Sequence, residues 1–430
     1  MSREMVNSGI PWIGEMPKGW EVCFIKQIMR NKSIKGYPNE MVLSLYRDYG
    51  VVPKDSRSDN HNVTSEDTSS YKFVEVGDFV INKMKAWQGS MAVSDYQGII
   101  SPAYYICRFT SKEVNKRYIH YLLRNDSYKA EYMRLSSGLR VGQWDLNVED
   151  FLRIKMVYPP LAEQQRIAEF LDRKCAEVDE MIALQEQIIE ELKAYKQSVI
   201  TETVTKGLNP AAPMRDSEIL FVDKIPSHWK ETKTLRLLEM PITDGPHETP
   251  EGLDNGIPFI SADAVSDGYI NFDNKWGYIS QAYYEECCKK YIPQKYDIYM
   301  IKSGASTGRT AIVETDEVFT IWSPLAVFRA NINIILPYFL LYVLRSDYYQ
   351  KQVESKWTYG TQQNIGMRVL EKLIISYPPI TEQQAIADYL DKKCGEIDEL
   401  IAIKQSKIDS LKEYKKSIIY EYVTGKREVK

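Results

Sequence analysis

From Glu163 onward apolar side chains recur at spacings of three and four or their sums: Ile167, Leu171, Cys175, Val178, Ile182, Ile189, Leu192 and Val199. The same register returns 219 positions later in Ile386, Leu390, Cys394, Ile397, Ile401, Ile408, Leu411 and Ile418. Such spacing keeps one face apolar, so each stretch predicts a long helix with a heptad seam. About 40 helical residues would make a rod of about 60 Å. Two polar positions break each seam at matching places, Gln185 with Lys404 and Lys196 with Lys415. Polar residues in a seam fix register or partner choice at some cost in stability.

The two stretches are copies of one text. Aligned without gaps from Tyr158 and Tyr377, 27 of 48 positions are identical, beginning YPP, then EQQ, IA and LD. Thr381 with Gln384 predicts a capping box in the second copy, whereas Ala162 cannot cap the first. Gly207 and Gly425 stand where helix ends are expected. The segments before the helices echo each other weakly. Each opens toward a Pro-x-x-Trp (Pro17 to Trp20, Pro226 to Trp229), passes a strand-like segment containing Lys83 or Lys302, and reaches a Ser-Pro at Ser101 or Ser323. The chain therefore reads as a tandem duplication: a domain over residues 1–157, a helix over 158–208, a second domain over 209–376 and a second helix over 377–430. Helices that each follow their own domain pair most economically antiparallel, about a pseudo-twofold axis.

Composition narrows the class. With 430 residues, 44% of them apolar, the chain can build more than one core. The longest apolar run, Ile332 to Leu344, is interrupted by Asn333 and Pro337 and is too short for a membrane span. Six cysteines without a CxxC pair, and an N-terminus without a signal-peptide core, predict reduced thiols and a cytoplasmic protein. Catalytic motifs are not found. GASTGRT from Gly304 has three residues between its glycines instead of four, and Arg309 where a phosphate loop needs lysine. The four histidines, 61, 120, 228 and 247, share no metal-ligand spacing, and no GxGxxG occurs. The net charge of −4 divides into about +4 over residues 1–157 and about −4 over 209–376, which is no broad footprint for nucleic acid.

The ordered set, SGIPWIGEMPKGWEV, its echo DSEILFVDKIPSHWKE, and the twice-occurring YPP…EQQ…IA…LD…K helix, resembles the specificity subunit of type I restriction-modification systems over the whole chain. The resemblance implies an α+β protein in which two mixed α/β target recognition domains are separated by two conserved helices forming an antiparallel coiled coil. It implies a non-enzymatic chain that chooses the DNA sequence and binds no cofactor. Two modification subunits would bring S-adenosylmethionine, and restriction subunits ATP and Mg. Each domain would read half of a bipartite asymmetric site, with the helices setting the spacer and docking the modification subunits.

Sequence readout needs Arg or Lys opposite guanine and Asn or Gln opposite adenine, carried on projecting loops. In the first domain the candidates are Lys83, Lys85, Trp87, Gln88, Arg140 and Gln143. In the second they are Lys302, Ser303, Arg309, Tyr359, Thr361, Gln362 and Gln363, joined by Asp244, His247 and Thr249 of TDGPHETP, a loop similar to one in many recognition domains of this family. Two other readings stay open: a coiled-coil scaffold that never touches DNA, and a stand-alone nuclease or methyltransferase.

Overall fold

The computed structural model describes residues 3–47, 49–57, 64–65, 67–138, 144–359 and 363–429. The chain divides into two compact units, residues 1–186 with 405–430 and residues 187–404. Two long helices, Leu161–Lys206 (α1) and Ile380–Val423 (α2), each contribute one part to each unit.

In the first unit an antiparallel sheet runs in the order Met29–Lys32, Tyr104–Phe109, Phe79–Asn82 and Met91–Val93. Strand residues alternate sides, and here both sides are buried. Phe79 and Ile81 pack with Tyr118, Leu122, Tyr132 and Phe151, while Val80 and Ile106 pack with Leu43, Leu45 and Val51. The first of these cores also takes Ile167 and Leu171 from α1 and Ile418, Tyr422 and Val423 from α2.

The second unit repeats the plan with a larger sheet, Thr243–Asp244, Leu325–Phe328, Ile298–Ile301, Thr310–Ile312 and Gly268–Tyr269, plus a three-stranded sheet. Ile298 and Met300 join Phe339 and Leu344 together with Val199, Ile200 and Val204 of α1 and Ile386, Leu390 and Cys394 of α2. Tyr299 and Ile301 face the other way, onto Phe319 and Ile321. Within each unit residue numbers rise along one long helix as they fall along the other, so the segments run antiparallel. Of the seam positions, Ile167, Leu171, Val178, Ile182, Ile189, Ile386, Leu390, Ile397 and Ile408 are buried, and Leu192, Ile401 and Leu411 are half-buried.

The repeated text is explained by how each helix start is tied to its own unit. Trp20 Nε1 donates to Glu163 at 2.9 Å, and Trp229 Nε1 to Glu382 at 3.1 Å. Gln164 is fully buried; its Oε1 accepts from the Asn115 N–H at 2.9 Å and its Nε2 donates to the carbonyls of Pro159 and Glu113. Gln383 does the same with the Leu336 N–H and the carbonyls of Pro378 and Ile334. One side-chain amide thereby serves three backbone groups, and the buried one, the proline carbonyl, would cost about 1–3 kcal/mol unpaired. About two turns further on, Asp172 accepts from the Tyr121 hydroxyl at 2.7 Å and Asp391 from Tyr342 at 2.6 Å. At the far ends Gly207 and Gly425 adopt φ of 72° and 73°, and a Cβ on Gly425 would run into Pro17 and Trp20.

The expected capping box is not formed. The helix begins at Ile380, one residue ahead of Thr381, and Gln384 donates to Asp388 instead. Pro160 and Pro379 serve both starts alike, their carbonyls accepting the first amides.

Candidate nucleic-acid interface

In the second unit the candidate loops converge on one carboxylate. Asp244 ends a short strand that pairs with Leu325–Phe328, and the chain then turns at Gly245, where any Cβ would strike the carbonyl of Ile321. Asp244 is 1% exposed and forms ion pairs with Lys290 and with Lys302 at 3.1 Å, and the His247 ring nitrogen Nε2 lies 3.4 Å from it. Burial alone would raise its carboxyl, but hydrogen bonds from Lys290 and Lys302 and their charges outweigh that and hold it below the usual carboxylate range. Asp244 thus lies beneath the surface and organises it, while His247 and Thr249 are exposed on the loop above.

Lys302 and Ser303 follow the central strand. The Gly304 N–H donates to the Gln363 carbonyl at 3.0 Å, the Ile365 N–H donates to the Lys302 carbonyl at 2.9 Å, and Ser303 bridges to Asn364. These bonds bring Asp244, His247, Lys302, Ser303 and Gln363 together from three separated segments. Arg309 stands apart, in a cleft of about 450 Å³ lined by Lys196, Asp267, Arg345 and Asp398. The backbone of Tyr359 pairs with Gln363; its side chain, like Thr361 and Gln362, lies outside the described residues.

In the first unit Lys83, Lys85, Trp87 and Gln88 occupy one 3-10 turn, Lys83–Gln88, directly after the sheet strand Phe79–Asn82. Asn82 caps it by accepting from the amides of Met84 and Lys85. Lys85 is exposed, and Trp87 is held edge-on against Trp144 at 5.6 Å while its Nε1 donates to the Met84 carbonyl. Lys83 Nζ sits 4.5 Å from the centre of the Tyr105 ring. Arg140 and Gln143 lie outside the described residues.

Two lysines escaped the reading of the sequence. Lys290 joins the Asp244 cluster, although in CCKKY it looks like any helix-end lysine. Lys72 is buried beside Tyr104 and Tyr105. A lysine inside the apolar run YKFV was the available signal for it. Among the described residues no group of three or more His, Cys, Asp and Glu could hold a metal, and no helix is long and apolar enough to cross a membrane.

Residues 17–194 and 249–413 match the model of the type I restriction modification DNA specificity domain, well over half of the chain. The chain belongs to this family. Two type I restriction enzyme specificity subunits of Methanocaldococcus jannaschii, MjaX and MjaVIII, are 25% and 26% identical to it. The alignments cover 97% and 96% of this chain and 96% and 94% of those proteins. A chain solved in a study of complex assembly and conformational transition of the type I restriction-modification system superposes with a TM-score of 0.70 over 96% of this chain and 99% of that one, at 18% identity, and so shares the fold. As a specificity subunit, the chain has a DNA-recognition role.

Proposed function

We propose that residues 1–157 and 209–376 are two target recognition domains that each bind one half of a bipartite, asymmetric duplex site. The observation that carries this is the contrast between scaffold and loops. The anchors at Trp20 with Glu163, Gln164 and Asp172 recur at Trp229 with Glu382, Gln383 and Asp391, while the loops each scaffold presents are unlike. A sheet that presents Lys83 over an aromatic ring in one unit presents Lys302 paired with a buried carboxylate in the other. Two copies of one platform with different contact chemistry suit two different half-sites.

The conserved helices, residues 158–208 and 377–430, set the number of unread base pairs and dock two modification subunits. Supporting the second role, each long helix keeps a further set of exposed apolar residues off its buried seam, and at equivalent positions: Met181, Leu184 and Tyr195 on α1, Leu400, Ile403 and Tyr414 on α2. Exposed apolar side chains repeated at matching places on two helices offer contact area to a partner protein. This chain then supplies no chemistry of its own. S-adenosylmethionine belongs to the modification subunits, and ATP and Mg to restriction subunits where those are present.

The test is long-read methylome sequencing of a methylation-free host expressing this chain with its cognate modification subunit, against a host lacking this chain. A new bipartite motif, methylated on both strands, is expected. Absence of methylation from a modification subunit that works with another specificity chain would favour the scaffold reading.

A further inference from the structure

Two lysines of the first unit are almost equally buried and treated in opposite ways. Lys32, 8% exposed, is met by Asp78 and Glu75. Lys72, 9% exposed, is met by no carboxylate among the described residues. Its Nζ donates once, to the Tyr104 carbonyl at 2.7 Å, leaving two ammonium protons without a protein acceptor among those residues. Lys72 also lies 5.4 Å from the centre of the Tyr105 ring, over which Lys83 sits at 4.5 Å. Lys35 is near enough, with Lys83, to add to the effect of burial and push the Lys72 ammonium pKa down. Burial first and Asp145 second raise the Tyr105 phenol, yet among the described residues Asp145 forms no ion pair with these lysines. Gathering like charges around a desolvated ammonium is costly unless a counter-charge arrives.

We propose that Lys72 and Lys83, converging on Tyr105, form a seat for one backbone phosphate of duplex DNA in the first recognition domain. This rests on the DNA-recognition reading above. The groups left to meet a ligand are ammonium donors, since the adjacent Tyr104 carbonyl is already taken up by Lys72. A base edge in the major groove offers mixed donors and acceptors, whereas a phosphate offers acceptors alone. The seat therefore positions the duplex, and reading falls to the neighbouring turn that carries Lys85 and Gln88. The second unit has no equivalent, because Asp244 already neutralises Lys302.

The test uses the complex reconstituted with its modification subunits, carrying wild-type chain or Lys72→Met, on specific and unrelated duplexes between 50 and 200 mM salt. One lost phosphate contact should weaken binding to both duplexes alike. It should also shrink the wild-type-to-variant affinity ratio about threefold across that salt range. Melting of the variant should stay unchanged or rise, because a buried charge has been removed. Unchanged affinity and salt slope, a loss confined to the specific duplex, or a fall in melting temperature would each overturn the seat. A free-phosphate site would instead show as wild-type melting raised by millimolar inorganic phosphate at constant ionic strength, with no change in salt slope on substitution. Failure of the wild-type complex to bind any duplex would overturn the functional reading itself, which separates the two.

Discussion

Lys415 Nζ lies 2.6 Å from both carboxylate oxygens of Asp179, joining α2 to α1 inside the first unit. The repeat equivalents of these residues are Lys196 and Asp398, and they make the same pair at 2.8 Å inside the second unit. A lysine of one copy meets an aspartate of the other in both units only if the helices run antiparallel. Placing Asp at position 415 opposes two carboxylates. With Lys415 and Asp179 partly exposed, Lys415→Asp should cost no more than about 1 kcal/mol. Adding Asp179→Lys should recover most of it, and a double-mutant cycle in urea measures the coupling. A cycle with no coupling would show that the lysines are breaks in the seam and not register pins.

Gln164 has a different kind of importance, since its amide serves three backbone groups at once. Gln164→Leu fits the volume but leaves the Asn115 amide and the Pro159 carbonyl without their partner, while the Glu113 carbonyl keeps the Tyr158 hydroxyl, and we expect a loss of about 3 kcal/mol. In a unit of this size that corresponds to a melting shift of about 6–12 °C. Gln165→Leu, at the exposed neighbour, should shift it hardly at all. Equal effects of the two substitutions would refute the anchoring role.

How much of this was legible in advance follows from the physics of each feature. The long helices were, because a seam in heptad register over more than thirty residues has no other regular solution, and the lysines at 196 and 415 stood out as polar residues within it. Their partners did not stand out, since Asp179 and Asp398 sit off the seam, where charge is ordinary. Glu163 and Gln164 were visible only as repeated letters, because a buried side-chain amide serving loop carbonyls has no local pattern. The candidate loops of the second domain were picked by residue type and position, but Asp244 looked like a surface residue, and only tertiary burial makes it a hub. Lys290 was invisible for the same reason: its role depends on a contact 46 positions away.

Asp244→Asn tests that hub. The carboxyl is held below its ordinary value in the fold, so the ionised form is the stabilising one. Its contribution is complete above the unfolded value near 3.9 and is lost as pH falls through the lower folded value. At pH 7 the substitution should destabilise the second unit by about 1–3 kcal/mol. Hydrogen exchange should report it locally, at residues 243–249 and 298–302. The gap between variant and wild type should stay constant from pH 7 to 5 and close only below pH 4. A gap that closes already above pH 5 would show that the ionised Asp244 is not what holds the cluster together.

Exchanging residues 209–376 for the corresponding domain of another specificity subunit should replace one half of the methylated motif and leave the other intact. The boundaries keep Trp229, which donates to Glu382 in the second unit, inside the exchanged piece, so the graft must retain a tryptophan there. Methylome sequencing reads both halves in one experiment. Retention of both original halves would place sequence choice elsewhere, and loss of both would mean that the domains do not read independently.

Insertion of one heptad into both long helices, between the Asp179–Lys415 pair and the Lys196–Asp398 pair, addresses the spacer directly. Seven residues preserve the seam, because the apolar register returns after two turns. The anchors at Glu163, Gln164, Glu382 and Gln383 are left untouched, so each recognition domain keeps its own support. If the helices act as a ruler, the methylated motif should keep both half-sites and gain unread base pairs between them. Altered half-sites with the original spacer would show that α1 and α2 shape the reading surfaces themselves and do not measure the distance between them.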